Sequence, residues 1–152
     1  MADRIVELNR TGWIAEHRDQ YMCDGKAGHL WDSRISGGPG LLPTLLLFTV
    51  GRKSGNRSVM PLLYSEVTGG YAIIASRGGS PHHPGWYHNL VACNDVGVRI
   101  ADYDFRATAR TTTGGERVAI WNQMAALYPP FADYKVKAAP REIPVMVLQP
   151  TD

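Results

Sequence analysis

A succession of short apolar runs beginning at residue 41, joined by glycine-rich turns, constrains this chain more than any other feature. "TLLLFTV", "VMPLLYSEV" and "YAIIAS" each read as a strand, "VGVRIADYDFRATAR" reads as a hairpin, and "IPVMVLQP" reads as a closing strand. In the hairpin Val96, Val98 and Ile100 alternate on one face, and Phe105, Ala107 and Ala109 alternate on its partner. Parallel neighbours need a crossover of a dozen or more residues, so most of these short connections dictate antiparallel pairing. The expected architecture is mainly β, a small barrel or split barrel with a few helices on its rim. Pro61 lies inside the second run and calls for an edge position or a bulge, because proline cannot donate to a ladder.

The 152 residues suit one domain with one core. Residues 1–40 are expected to form an N-terminal helix and loop, and residues 41–152 the barrel. The helix is placed over 3–22, where Ile5, Leu8, Trp13, His17 and Tyr21 recur at helical spacing. Its basic residues are balanced by Asp3, Glu7, Glu16 and Asp19, which favours packing on the body over contact with a membrane or partner. Residues 24–40 are rich in glycine and read as a loop. "PGWYHNLVAC" and "GGERVAIWNQMAALY" read as two further helices.

The formal charge of +2 is too small for a nucleic-acid face, but the cations are unevenly placed. Arginine outnumbers lysine twelve to four, and arginine is the better residue for forked contacts to phosphate or carboxylate. The turn "GRKSGNRS" crowds Arg52, Lys53 and Arg57 into six residues. Either solvent separates these charges or an anion gathers them; the pattern is not a P-loop, because no glycine-lysine pair precedes a helix. In "IIASRGGSPHHPGWYHNL" a strand ends at Ser76 and Arg77, and a helix begins after Pro84 with its free N–H groups available to an anion. Trp86, Tyr87 and Asn89 follow; adjacent helical residues point apart, so one of the two aromatics belongs to the core. "LYPPFADYKV" places Tyr128, Phe131 and Tyr134 at intervals of three, with Pro129 and Pro130 expected to stop the preceding helix and leave an irregular segment.

His82, His83 and His88 lack a further cysteine or acidic ligand at supporting spacing, so no metal is expected. Ser76 lacks the G-x-S-x-G elbow of a hydrolase. Cys23 and Cys93 form no disulfide framework. No apolar run approaches the roughly 20 residues of a membrane span, and no apolar leader opens the chain. The expectation is a cytoplasmic protein, with peripheral membrane contact by the first helix and homodimerisation left open.

Together "GRKSG", "ASRGGSPHHPGWYHNL", "YPPFADY" and "REIPVMVLQP" resemble the deazaflavin-dependent nitroreductase family, small FMN-binding-like split barrels that use reduced coenzyme F420. The resemblance runs from about Leu45 to Pro150. It implies a coenzyme with a deazaflavin ring, a phosphate-linked unit and an oligoglutamate tail, whose anionic part falls to Arg52, Lys53 and Ser54. It assigns the ring side to Ser58, Val59, Met60, Pro61, Leu62 and Leu63. Ile74, Ala75, Ser76 and Arg77, with Gly85, Trp86, Tyr87, His88 and Asn89, complete the implied pocket. The implied acceptors are quinones, activated alkenes such as unsaturated lactones, and nitroaromatics, held against Phe131 and Trp86. Arg77 stands where lysine is common, Arg57 where proline often stands and Ser58 where arginine often stands. Phe131 replaces a tyrosine, which leaves Ser76, Tyr128, Tyr134 or solvent as the proton source. The competing expectations are an FMN-dependent reductase of the same architecture and a non-catalytic protein that binds F420 or another ligand.

Overall fold

The computed structural model describes residues 5–7 and 12–151. Among them nine strands form one curled sheet. They are β1 (Ile5–Glu7), β2 (Leu30–Asp32), β3 (Leu41–Val50), β4 (Arg57–Leu63), β5 (Ser65–Val67), β6 (Gly70–Ile74), β7 (Asp95–Ile100), β8 (Tyr103–Thr111) and β9 (Val145–Thr151). The order across the sheet is β1-β4-β3-β7-β8-β9-β6-β5, with β2 beside β3. Five helices flank it: α1 (Gly12–Cys23), α2 (Gly25–Gly28), α3 (Gly85–Ala92), α4 (Gly114–Leu127) and α5 (Pro130–Ala138). None of the described helices is long and apolar enough to cross a membrane.

Strand β3 is buried from Thr44 to Thr49 because both of its faces are covered. Leu45 and Leu47 point into the barrel with Ile73, Trp86, Val98 and Leu148, while Leu46 and Phe48 meet Tyr21 of α1. Such a run of leucines is what a strand covered on both faces requires, in place of simple alternation. The Tyr21 hydroxyl donates to Thr44 O at 2.7 Å and accepts from Ala101 N at 2.9 Å, fastening α1 to the barrel. Strand β9 repeats the arrangement: Met146 and Leu148 face the barrel, and Val145 and Val147 face Ile120 and Met124 of α4.

All the strand pairs are antiparallel except β1 with β4, which is parallel over Ile5↔Arg57 to Glu7↔Val59. The long connection through α1 and β3 makes this parallel pairing possible. It corrects the expectation of a helix from residue 3: the helix begins at Gly12, and Ile5 belongs to a strand, whereas Leu8 lies outside the described residues. Residues 24–40, expected as loop, hold α2, β2 and a 3₁₀ turn at Ser33–Ser36. The prolines at 129 and 130 do not leave an irregular segment; they start α5, since proline's fixed φ suits the first helical turn.

The barrel is split where β4 approaches β6. Among the described residues β1 covers β4 only to Val59, and no described strand pairs with the outer edge of Met60 to Leu63. Pro61 sits on that edge, where its missing N–H leaves no ladder bond unmade. On the other side, β5 covers β6 only as far as Ala72, so no described strand covers that side of Ile73 and Ile74.

Candidate functional site

A cleft of about 740 Å³ occupies this split. That size suits a small-molecule or cofactor site. Its floor is the outer β4 edge, Met60, Pro61, Leu62 and Leu63, together with Ile74 and Trp86. Trp86 is buried in the barrel core and still reaches the cleft, whereas Tyr87 turns away to pack on His83 at 4.8 Å between ring centroids.

One wall is cationic. Arg52, Arg77, His83 and His88 line it with the start of α3 at Gly85, and among the described residues no acidic one lines the cleft. The GRKSG turn closes through Gly51 N–H to Asn56 O at 2.7 Å and Gly55 N–H to Gly51 O at 2.8 Å. Gly55 adopts φ 74°, the left-handed conformation that favours glycine there. Arg77 adopts φ 48°, which costs a non-glycine residue about 1–3 kcal/mol. The next turn rides closely on α5: a Cβ on Gly79 would stand 3.0 Å from Tyr134 Cα and from Lys137 Cβ.

The ten described arginines divide into two sets. Arg18, Arg34, Arg99, Arg106, Arg110 and Arg117 each pair with a carboxylate. Among the described residues Arg52, Arg57, Arg77 and Arg141 have no such partner. Arg57 instead lies over the Phe48 ring at 4.3 Å.

The other wall is aromatic and hydroxylic. Trp13 and Trp31 stack at 5.2 Å between centroids, and Phe131 meets Tyr128 edge-on at 4.9 Å. Tyr128 Oη lies 2.6 Å from Ser36 Oγ and 2.8 Å from Tyr134 Oη, a chain of three hydroxyls. Burial, and then the bond to Tyr128, push the Tyr134 hydroxyl well above the usual tyrosine range, so it stays protonated at neutral pH. His17 also lines the cleft; its Nε2 meets Gly28 O at 2.8 Å, and burial holds its pKa below the ordinary 6.5.

Of the residues expected from the sequence, the cleft brings together Arg52, Met60, Pro61, Leu62, Leu63, Ile74, Ser76, Arg77, Gly85, Trp86, His88, Tyr128, Phe131 and Tyr134. Lys53 and Ser54 sit exposed at the turn beyond it. Ser58 and Val59 are buried on β4, and Ala75 is buried at the strand end, so none of the three side chains lines the cleft. Asn89 is buried behind the wall: its Oδ1 accepts from Arg52 and its Nδ2 donates to Thr49 Oγ1 at 3.2 Å. Trp13, Trp31, Ser36, Thr44 and His83 were missed. Trp13 had signalled only a packing face, and Ser36 carried no signal at all.

Residues 15–150 match the family described as F420H(2)-dependent quinone reductase. The chain is 41% identical over 87 residues to the F420H(2)-dependent quinone reductase Rv1261c of Mycobacterium tuberculosis, covering 57% of this chain and 54% of that protein. The chain thus spans about half the length of that relative. Rv3178 of the same organism is 34% identical over 109 residues, 72% of this chain and 91% of its own. Among solved structures, the F420-H2 dependent reductase FDR-A superposes with a TM-score of 0.64 at 41% identity, covering 70% of this chain and 94% of its own. A domain-swapped dimer superposes at 0.66 with 34% identity, covering 93% and 100%. The heme storage protein HutZ of Vibrio cholerae, at 19% identity and a TM-score of 0.54, covers 72% of this chain and 82% of its own and shares the fold alone. The curled antiparallel half-barrel with flanking helices is the fold of these F420-dependent neighbours, and the chain belongs to the F420H(2)-dependent quinone reductase family.

Proposed function

We propose that this protein is an oxidoreductase that transfers a hydride from reduced coenzyme F420 to a small acceptor of the quinone class. Activated alkenes and nitroaromatics are the further acceptors to test. The observation that carries the reading is a cleft lined, among the described residues, by no acid and by two arginines without a described carboxylate partner on one wall. Cations gathered without carboxylates repel one another, and a polyanionic ligand relieves that repulsion. The residues present fit such a coenzyme. Arg52 and Arg77 take its phosphate and carboxylates, and the backbone groups on the outer edge of Met60 to Leu63, which no described strand covers, offer hydrogen bonds to the edge of a flat polar ring.

When bound, the reduced coenzyme supplies the hydride. The protein's part is orientation and exclusion of water, since hydride transfer needs the reacting atoms in near contact. Trp86, Leu62 and Ile74 support the floor, and an acceptor fits against Phe131, Trp13 and Trp31. Tyr134 Oη holds a proton for the acceptor oxygen that gains negative charge, with Tyr128 Oη and Ser36 Oγ behind it to restore that proton. Tyr128 is itself buried, so Tyr134 is the hydroxyl within reach.

The test is reoxidation of reduced F420, followed by absorbance, with a panel of a naphthoquinone, an unsaturated lactone and a nitroaromatic. Acceptor-dependent reoxidation is expected. Binding of F420 without turnover on any acceptor would make this a binding protein, and release of a yellow flavin from the purified protein would make it an FMN enzyme. We also infer a homodimer, supported by the 34% identical domain-swapped neighbour and tested by light scattering.

A further inference from the structure

Arg141, between α5 and β9, directs its donors into the loop that builds the cationic wall. Its Nε donates to Ser80 O at 2.8 Å, its Nη2 to Ser76 O at 2.7 Å, and its Nη1 to Ala75 O at 3.1 Å. Nη1 also lies 2.9 Å from His83 Nδ1. A guanidinium carries five donors and no acceptor, and keeps its charge at any ordinary pH. His83 Nδ1 must therefore accept, and the proton of the neutral imidazole must sit on Nε2. His83 lines the cleft and Arg141 does not, which leaves the Nε2–H for the cleft.

The surroundings oppose a second proton on this ring. Arg141 faces it from the segment before β9, Tyr87 and His88 face it from α3, and Arg77 lies near Arg141 on the turn after β6. None is acidic. Protonating Nδ1 would displace the Arg141 donor and set two cations in contact. Burial, Arg141 and His88 all hold the ring below the ordinary histidine pKa.

We propose that Arg141 is a positioning residue that fixes His83 as a neutral Nε2–H donor in the anion site. The neutral donor then keeps one tautomer and one direction. Only the identity of the anion, the coenzyme's phosphate or carboxylates, rests on the proposed function; the lock on the ring does not.

The test is nitrogen-detected NMR of the full chain labelled with ¹⁵N-histidine, without coenzyme, with the His83 signals assigned by their loss in His83→Gln. The expected spectrum at about pH 7.5 shows an unprotonated Nδ1 and a protonated Nε2, and on acidification the ring takes up its second proton below the range of a free histidine. In Arg141→Met the ring becomes a mixture of tautomers and its titration moves up toward the ordinary histidine range, while burial and His88 still act on it. A neutral native ring with its proton on Nδ1, native titration at about 6.5, or no change in Arg141→Met would each overturn the proposal. If Arg141→Met does not fold, the native spectrum alone decides. In a parallel fluorescence titration, His83→Ala loses about tenfold in F420 affinity, and His83→Gln, which restores a neutral donor, recovers most of it. Equal loss in both would contradict the donor role. A native protein that shows the locked ring yet binds no F420 would sink the coenzyme reading and leave the lock standing.

Discussion

Asn89 Oδ1 accepts two hydrogen bonds from Arg52, one from its backbone N–H at 3.2 Å and one from Nη1 at 3.0 Å. A buried amide on α3 thus sets both the position of the GRKSG turn and the direction of its first cation. Arg52 Nη1 also reaches Gly85 O at 3.3 Å, at the start of the same helix. The strand connection and the helix start, 33 residues apart in sequence, become one wall through this pair.

Arg52→Ala is expected to weaken F420 binding by about 1–3 kcal/mol, the usual worth of a charge-assisted hydrogen bond. Asn89→Ala is expected to weaken it as well, without having touched the ligand. It also lowers stability by about 1–3 kcal/mol, because the turn N–H and Thr49 lose a buried partner. Fluorescence titration and thermal unfolding of both variants separate the two effects.

Lys53 offers the contrast. Both residues are exposed on the turn, but Arg52 lines the cleft and Lys53 does not. Lys53→Ala is expected to reduce affinity only slightly, and the difference is expected to vanish in about 1 M salt, where the screening length falls to about 3 Å. The Arg52→Ala difference persists there. A Lys53 effect as large as that of Arg52 and equally resistant to salt would place the tail contact at the turn tip instead.

Tyr134→Phe is expected to lower turnover by up to about 10²-fold while sparing coenzyme affinity, since it removes the proton and leaves the ring. Ser36→Ala, which removes the far end of the hydroxyl chain, is expected to lower turnover less and to change its solvent isotope effect. Steady-state rates with saturating coenzyme check both. Full activity in Tyr134→Phe would leave proton delivery to solvent or Ser76.

Stability is expected to fall as pH drops below about 6.5. His17 is buried with its Nε2 against Gly28 O, and its pKa in the folded protein lies below 6.5. The unfolded chain therefore takes up a proton near 6.5 that the folded chain refuses, so stability is full above that value and declines below it. His83, lowered in the same direction, adds to the slope. Urea midpoints at several pH values should show this decline, and it should be shallower in His17→Gln.

The strands from residue 41 onward were legible because their alternation and short connections are local properties. So were the cationic turn and the start of α3, which the structure brings to one wall of the cleft through Arg52 and Gly85. The aromatic wall was not. Trp31 lies on a three-residue strand that exists only because Leu42 is there to pair with it. Ser36 joins the site through Tyr128, 92 positions away. Phe131 and Tyr134 were read as an irregular segment because Pro129 and Pro130 were taken to end a helix, whereas they begin one. The Arg141–His83 pair had no sequence signature, since its partners meet only after β9 has joined β6.

A crystal structure of the complex with F420 tests the central claim most directly. The account predicts the phosphate and carboxylates against Arg52 and Arg77, with the ring along Met60 to Leu63 at the outer strand edge. Coenzyme bound elsewhere on the barrel, with both guanidinium groups left facing solvent, would contradict it.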